Sequence, residues 1–140
     1  MKIIDYIKLA AAQTGAIIGL YIGDMTGMIW ALLIFAIIDY MTGVTAAILE
    51  HNLSSEIGFR GITRKVLLFM IVGLANVLDV YVIGTGGVCR SMVVLFYLAN
   101  EGLSIIENVA RCGVPVPEKL KVILKQLEEE DHDRITNNQK

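Results

Sequence analysis

Residues 27–49 read GMIWALLIFAIIDYMTGVTAAIL, and this stretch decides the fold. It carries a single charge, Asp39, in 23 residues. About 20 apolar residues in a helix cross the hydrocarbon core of a bilayer, so this run predicts a membrane-spanning helix. Two further runs share its character. Residues 66–83, VLLFMIVGLANVLDVYVI, form an 18-residue span that holds Asn76 and Asp79. Residues 91–110, SMVVLFYLANEGLSIIENVA, form the last, and Pro115 and Pro117 forbid its continuation. Between the first two lies a polar stretch, residues 50–65, whose two glycines predict a loop with Arg60, Arg64 and Lys65 at its far end. Gly84, Gly86 and Gly87 predict a turn before the last span.

The start of the chain is less decided. Ile3, Ile4, Ile7, Ala10 and Ala11 recur at helical spacing. The continuation through residues 9–23 is apolar but short and interrupted by Gln13, so three or four crossings are both open. Asp5, and the lack of a long apolar core before Gly15, argue against a cleaved secretory signal. At the other end, Leu120, Ile123, Leu124 and Leu127 form the apolar stripe of a short helix over 118–130, and the final DHDRITNNQK reads as disordered. The expected fold is therefore all-α. A transmembrane helical domain occupies 1–113, and a cytoplasmic charged tail with a short amphipathic helix occupies 114–140.

Composition agrees. The chain of 140 residues is 55% hydrophobic and 19% charged, against about a quarter charged in soluble domains. No Lys or Arg occurs between Lys8 and Arg60, or between Lys65 and Arg90. Such segregation suits a bilayer, where a midplane cation costs about 2.5–3.5 kcal/mol on insertion scales. The net charge of −2 gives no basic face for nucleic acid. The positive-inside rule places the Arg60–Lys65 cluster in the cytoplasm. The tail, with Arg111, Lys119, Lys121 and Lys125, falls on the same side. Two spans separate the clusters, so the assignments agree, and the glycine turn lies outside.

The polar residues inside the spans are not scattered. On the last span Asn100, Glu101, Ser104, Glu107, Asn108 and Arg111 share an arc of about 120°. On the 27–49 span Asp39, Gly43, Ala46 and Glu50 fall within about 60°, with Trp30 opposite. Asn76 and Asp79 are similarly close to one face. Lipid cannot satisfy such faces, so they turn toward other helices or toward water. One reading makes them mutual hydrogen-bond partners inside a compact bundle. The other makes them the lining of an aqueous path or an oligomer interface, and so short a chain needs several copies to enclose a path.

Catalytic and metal-binding patterns are missing. His51 and His132 have no partner at ligand spacing. Ser54, Ser55 and Ser104 lack a nucleophile-elbow context. The glycine turn lacks the preceding strand and third glycine of a dinucleotide loop. No cofactor is expected. Cys89 and Cys112, about 34 Å apart along one helix, are expected as free thiols.

Three blocks then carry a resemblance. Asp39, Thr42 and Gly43 fit D-x-x-T-G. Ser54, Ser55, Gly58, Gly61, Arg64 and Lys65 fit S-S-x-x-G-x-x-G-x-x-R-K. Asn100, Glu101, Ser104, Glu107 and Asn108 fit N-E-x-x-S-x-x-E-N, followed by Gly113, Pro115 and Pro117 in G-x-P-x-P. Over about 38–125 the chain resembles the toxin-secretion and phage-lysis holins, the TcdE-like family. The resemblance implies a phage or prophage protein of the bacterial inner membrane, not an enzyme. Such a protein oligomerises with itself in the lipid bilayer and opens a lesion at a timed moment. An endolysin or a large toxin then passes, as a functional rather than a direct partner. A non-pore membrane subunit, whose polar stripes only hold helices together, is the alternative, and an intramembrane enzyme using Glu101 and Glu107 ranks well below both.

Overall fold

A computed structural model describes residues 2–84 and 86–126. Four long helices follow one another: α1 (Ile3–Ile22), α2 (Gly27–Leu49), α3 (Ser55–Val77) and α4 (Val88–Arg111). Residues 118–126 form a short α5. There is no strand among the described residues. All four long helices have the length and apolarity to cross a membrane, so the chain is a multi-pass helical membrane protein.

α2 begins and ends where its apolar run does. Its inward face places Ile29 and Leu32 against Leu68 and Val72 of α3 and Val94 of α4, and these residues form the core. α2 and α4 make the most extensive contact. Buried Ala36, Ala46 and Ala47 on α2, with Ala99 and Gly102 on α4, keep the contact surfaces small, which is how membrane helices approach closely.

α3 departs from the sequence expectation. Residues 55–65 are not a loop but the first three turns of a helix, and the connection shrinks to residues 50–54. Ser54 caps the helix, its Oγ accepting from the Ile57 N–H at 3.2 Å. Glu56 and Arg60 pair at 2.9 Å one turn apart. The glycines that suggested a turn serve packing instead. A Cβ at Gly61 would stand 3.1 Å from the Tyr40 ring, so its absence lets α2 close on α3. At its other end α3 widens into a π-helical turn, Leu78–Ile83, making a continuous 29-residue element. Its length of about 43 Å exceeds the roughly 30 Å hydrocarbon core, so it extends beyond that core into the headgroup region.

α1 is one uninterrupted helix of 20 residues with none buried, and this settles it as a fourth candidate span. It leans on α3 through its last turn. Tyr21 donates its hydroxyl to the Met70 carbonyl at 2.7 Å. Asn76 donates to the carbonyls of Leu20 (3.4 Å) and Tyr21 (3.1 Å), and Arg90 to that of Ile22 (3.3 Å). These carbonyls belong to a helix end that cannot satisfy them itself. Gly23, at φ 85°, makes this possible, because a Cβ there would meet the Arg90 guanidinium at 2.0 Å.

Candidate functional site

α2, α3 and α4 enclose a half-open cavity of about 1360 Å³, roofed in part by α5. Its wall holds the ion cluster of the bundle. Lys65 of α3 reaches Asp39 Oδ2 of α2 at 2.5 Å and also donates to Glu101 Oε2 of α4. The three side chains keep only 18%, 13% and 11% of their exposure, so one ammonium serves two carboxylates away from bulk water. Asn108 of α4 extends the network, donating to Asp39 Oδ1 at 3.1 Å and to the Thr42 hydroxyl at 3.3 Å. Arg111 in turn donates to Asn108 Oδ1 at 3.3 Å. It also grips Glu50 with two bonds, Nε to Oε1 at 2.9 Å and Nη2 to Oε2 at 2.6 Å. The hydrogen bonds from Arg111 hold the Glu50 carboxyl below its ordinary range. A chain of polar contacts thus runs from Glu101 to Glu50 across all three helices.

The polar arc of α4 is divided by this arrangement. Glu101 and Asn108 are buried in the network, while Asn100, Ser104 and the exposed Glu107 face the cavity. Asp39, Gly43 and Glu50 border the same cavity from α2. The site does not gather Asn76 and Asp79, which lie toward the other end of α3. Asn76 holds α1, as described above. Asp79 is 2% exposed and accepts from the backbone N–H groups of Cys89 (3.0 Å) and Arg90 (2.8 Å). It thereby caps α4, where the helix dipole favours an anion.

Three cations need correction as loop residues: Arg60, Arg64 and Lys65 all lie on α3. Arg64 borders the cavity, and Lys65 is the hub of the interhelical cluster rather than a solvated loop charge. The hub role of Lys65 is invisible as long as the stretch reads as a loop. Read as one helix, residues 55–83 put Lys65 on the stripe of buried Leu68, Val72, Asn76 and Asp79, and that periodicity was the available signal. Tyr40 and the tail cations Lys121 and Lys125 also border the cavity, a position that the sequence pattern did not indicate. In α5, Leu124 packs on Gly102, where a Cβ would stand 3.0 Å from it. Leu120 and Ile123 of the expected stripe remain 46% and 54% exposed. Leu127 and the expected disordered end lie outside the described residues. Cys89 and Cys112 are free thiols at the two ends of α4.

The architecture is that of a small multi-pass membrane protein with a part-buried charged cluster among three spans. Comparison with known proteins gives its family. The profile of the bacteriophage holin family matches residues 16–129. An uncharacterized 14.9 kDa protein in the nagH 3′ region of Clostridium perfringens is 40% identical over 126 residues, covering 90% of this chain and 96% of that protein. A probable holin of Bacillus phage phi105 is 41% identical over 109 residues, covering 75% of this chain and 76% of the phage protein. No solved structure matches. The chain belongs to the bacteriophage holin family.

Proposed function

We propose that this protein is a non-catalytic holin of the bacterial cytoplasmic membrane, which assembles with copies of itself and opens a lesion at a set time. An endolysin or a large toxin then crosses. The observation that carries the reading is the Lys65–Asp39–Glu101 cluster in the wall of a cavity between three spans, in a chain of the holin family. Ionisable groups within spans mark functional sites by default. Here they lie beside Glu107, Ser104 and Asn100, whose faces are free to meet another copy or water. In this reading the spans, residues 1–113, build the lesion. The tail from 114 stays in the cytoplasm with the Arg60 and Arg64 end of α3, as the cation distribution favours. Four crossings then place the N-terminus there too.

One observation favours a second reading, a helix-packing role without a pore: the cluster is already satisfied within a single chain. Controlled expression in bacteria, with dye entry and culture density followed together, separates the two. Abrupt permeabilisation is expected. Growth inhibition without dye entry at any expression level would replace the lesion by the packing role.

A further inference from the structure

We propose that the cavity between α2, α3 and α4 binds one anionic phospholipid, its phosphate at the cation-rich mouth and an acyl chain along the aliphatic end. Six cations border the cavity against four acids, Asp39, Glu50, Glu101 and Glu107, a surplus of two positive charges. The acids are mostly engaged. Asp39 and Glu101 share Lys65, and Glu50 holds Arg111. Arg60 pairs with Glu56 on its own helix. Among the described residues, Arg64, Lys121 and Lys125 have no ion-pair partner, and all three border the cavity. They come from two elements, α3 and α5, so an anion between them would be held from two sides.

The cavity is also graded. Along α3 its wall passes from Arg60 and Arg64 to Leu67, Leu68 and Ile71, with Tyr97 of α4 at the same level. From Ile57 to Ile71 this wall is about 21 Å long. One leaflet with its headgroups is about 20–22 Å deep. A free phosphate or nucleotide would fill the charged mouth and leave the aliphatic wall bare, whereas an amphiphile matches both. Basic pockets between spans on the cytoplasmic side are where anionic headgroups lodge. The inference does not depend on lesion formation.

The test uses the full-length protein, delipidated in detergent, with bound lipid counted by native mass spectrometry. Phosphatidylglycerol is expected to bind at one per chain and at least tenfold more tightly than phosphatidylcholine. Arg64→Gln, Lys121→Gln and Lys125→Gln should each weaken it about fivefold, the effect of one surface cation. Lys119→Gln, on the same tail but outside the cavity, should leave it unchanged, and Ile71→Trp should weaken it by filling the acyl end. Equal binding of the two lipids would overturn the proposal, as would equal losses from Lys119→Gln and Lys121→Gln. Displacement of the lipid by millimolar inorganic phosphate, with Ile71→Trp silent, would assign the mouth to a free anion instead.

Discussion

Lys65→Met tests whether the buried cluster holds the bundle together by charge. Lys65 is the only cation within ion-pair distance of Asp39 and Glu101 among the described residues. Methionine keeps the length and helix propensity of the side chain but leaves two part-buried carboxylates facing each other at the wall of the half-open cavity. Breaking a buried ion pair from one side costs about 3–5 kcal/mol. The low end applies, because the three side chains retain 11–18% exposure and water reaches them in part. A loss of about 3 kcal/mol is therefore expected. It can be measured by titrating dodecyl sulfate into dodecyl maltoside micelles and following helicity. The double variant Asp39→Asn/Glu101→Gln should also be destabilised, since it leaves the ammonium unpaired. The triple variant, neutral throughout, should return to within about 1 kcal/mol of the parent, as replaced ion clusters commonly do. If Lys65→Met costs less than about 0.5 kcal/mol, or the triple variant is as unstable as the single one, charge pairing is not what joins α2, α3 and α4.

Glu107→Leu should accumulate normally in membranes, since Glu107 is exposed and outside the network, yet fail to permeabilise, while Glu107→Gln shifts the onset and keeps activity. Lysis on the parental schedule by Glu107→Leu, with protein level checked by blot, would remove that face from the lesion. Asn76→Leu strips two carbonyls of α1 of their donor, so hydrogen exchange in residues 19–23 should rise several-fold with α2 unaffected. Unchanged exchange would mean α1 is held otherwise. For Glu50, whose folded value is depressed below its ordinary 4.5, the contribution is complete above that value and disappears as pH falls through the lower one. Glu50→Gln should therefore be less stable than the parent at pH 7 and equal to it in strong acid. A difference independent of pH would assign the effect to shape. Single cysteines at Ser55 and Asn138, in a background lacking native cysteines, should resist an impermeant thiol reagent on intact cells, and labelling of either would reverse the topology.

What the sequence made legible, and what it hid, follows from the kind of signal each residue carries. Residues 27–49 form a helix with the bounds of the apolar run, because hydrophobic length alone decides a span. Residues 50–65 misled because glycine marks both turns and close helix contacts, and the position of Tyr40 shows which applies here. The Ser54 cap and the Glu56–Arg60 spacing were the local signals for a helix. The polar arc of α4 was visible from its period. Its division into buried Glu101 and Asn108 and cavity-facing Glu107 was not, since that depends on what α2 and α3 bring opposite. α1 was ambiguous because its apolar run is broken by Gln13, and the family match from residue 16 covers much of what the motif resemblance left out.

A bundle that satisfies its buried charges within one chain has little polar drive to associate. Asp39, Lys65, Glu101 and Asn108 already have partners, so an interchain contact that uses them must first break an intrachain one. Polar contacts between membrane helices are worth about 0.6–2 kcal/mol each, and exchanging one for another leaves the balance near zero. Packing of faces that are idle in the single chain and mass action then decide the outcome. α1, with no buried residue, and the exposed Glu107 side of α4 are such faces. Assembly governed this way depends steeply on the amount of protein in the membrane and weakly on any one polar pair. Loss of Lys65 should therefore lower the stability of each chain while leaving intact the route by which chains meet, whereas a change at Glu107 should do the reverse.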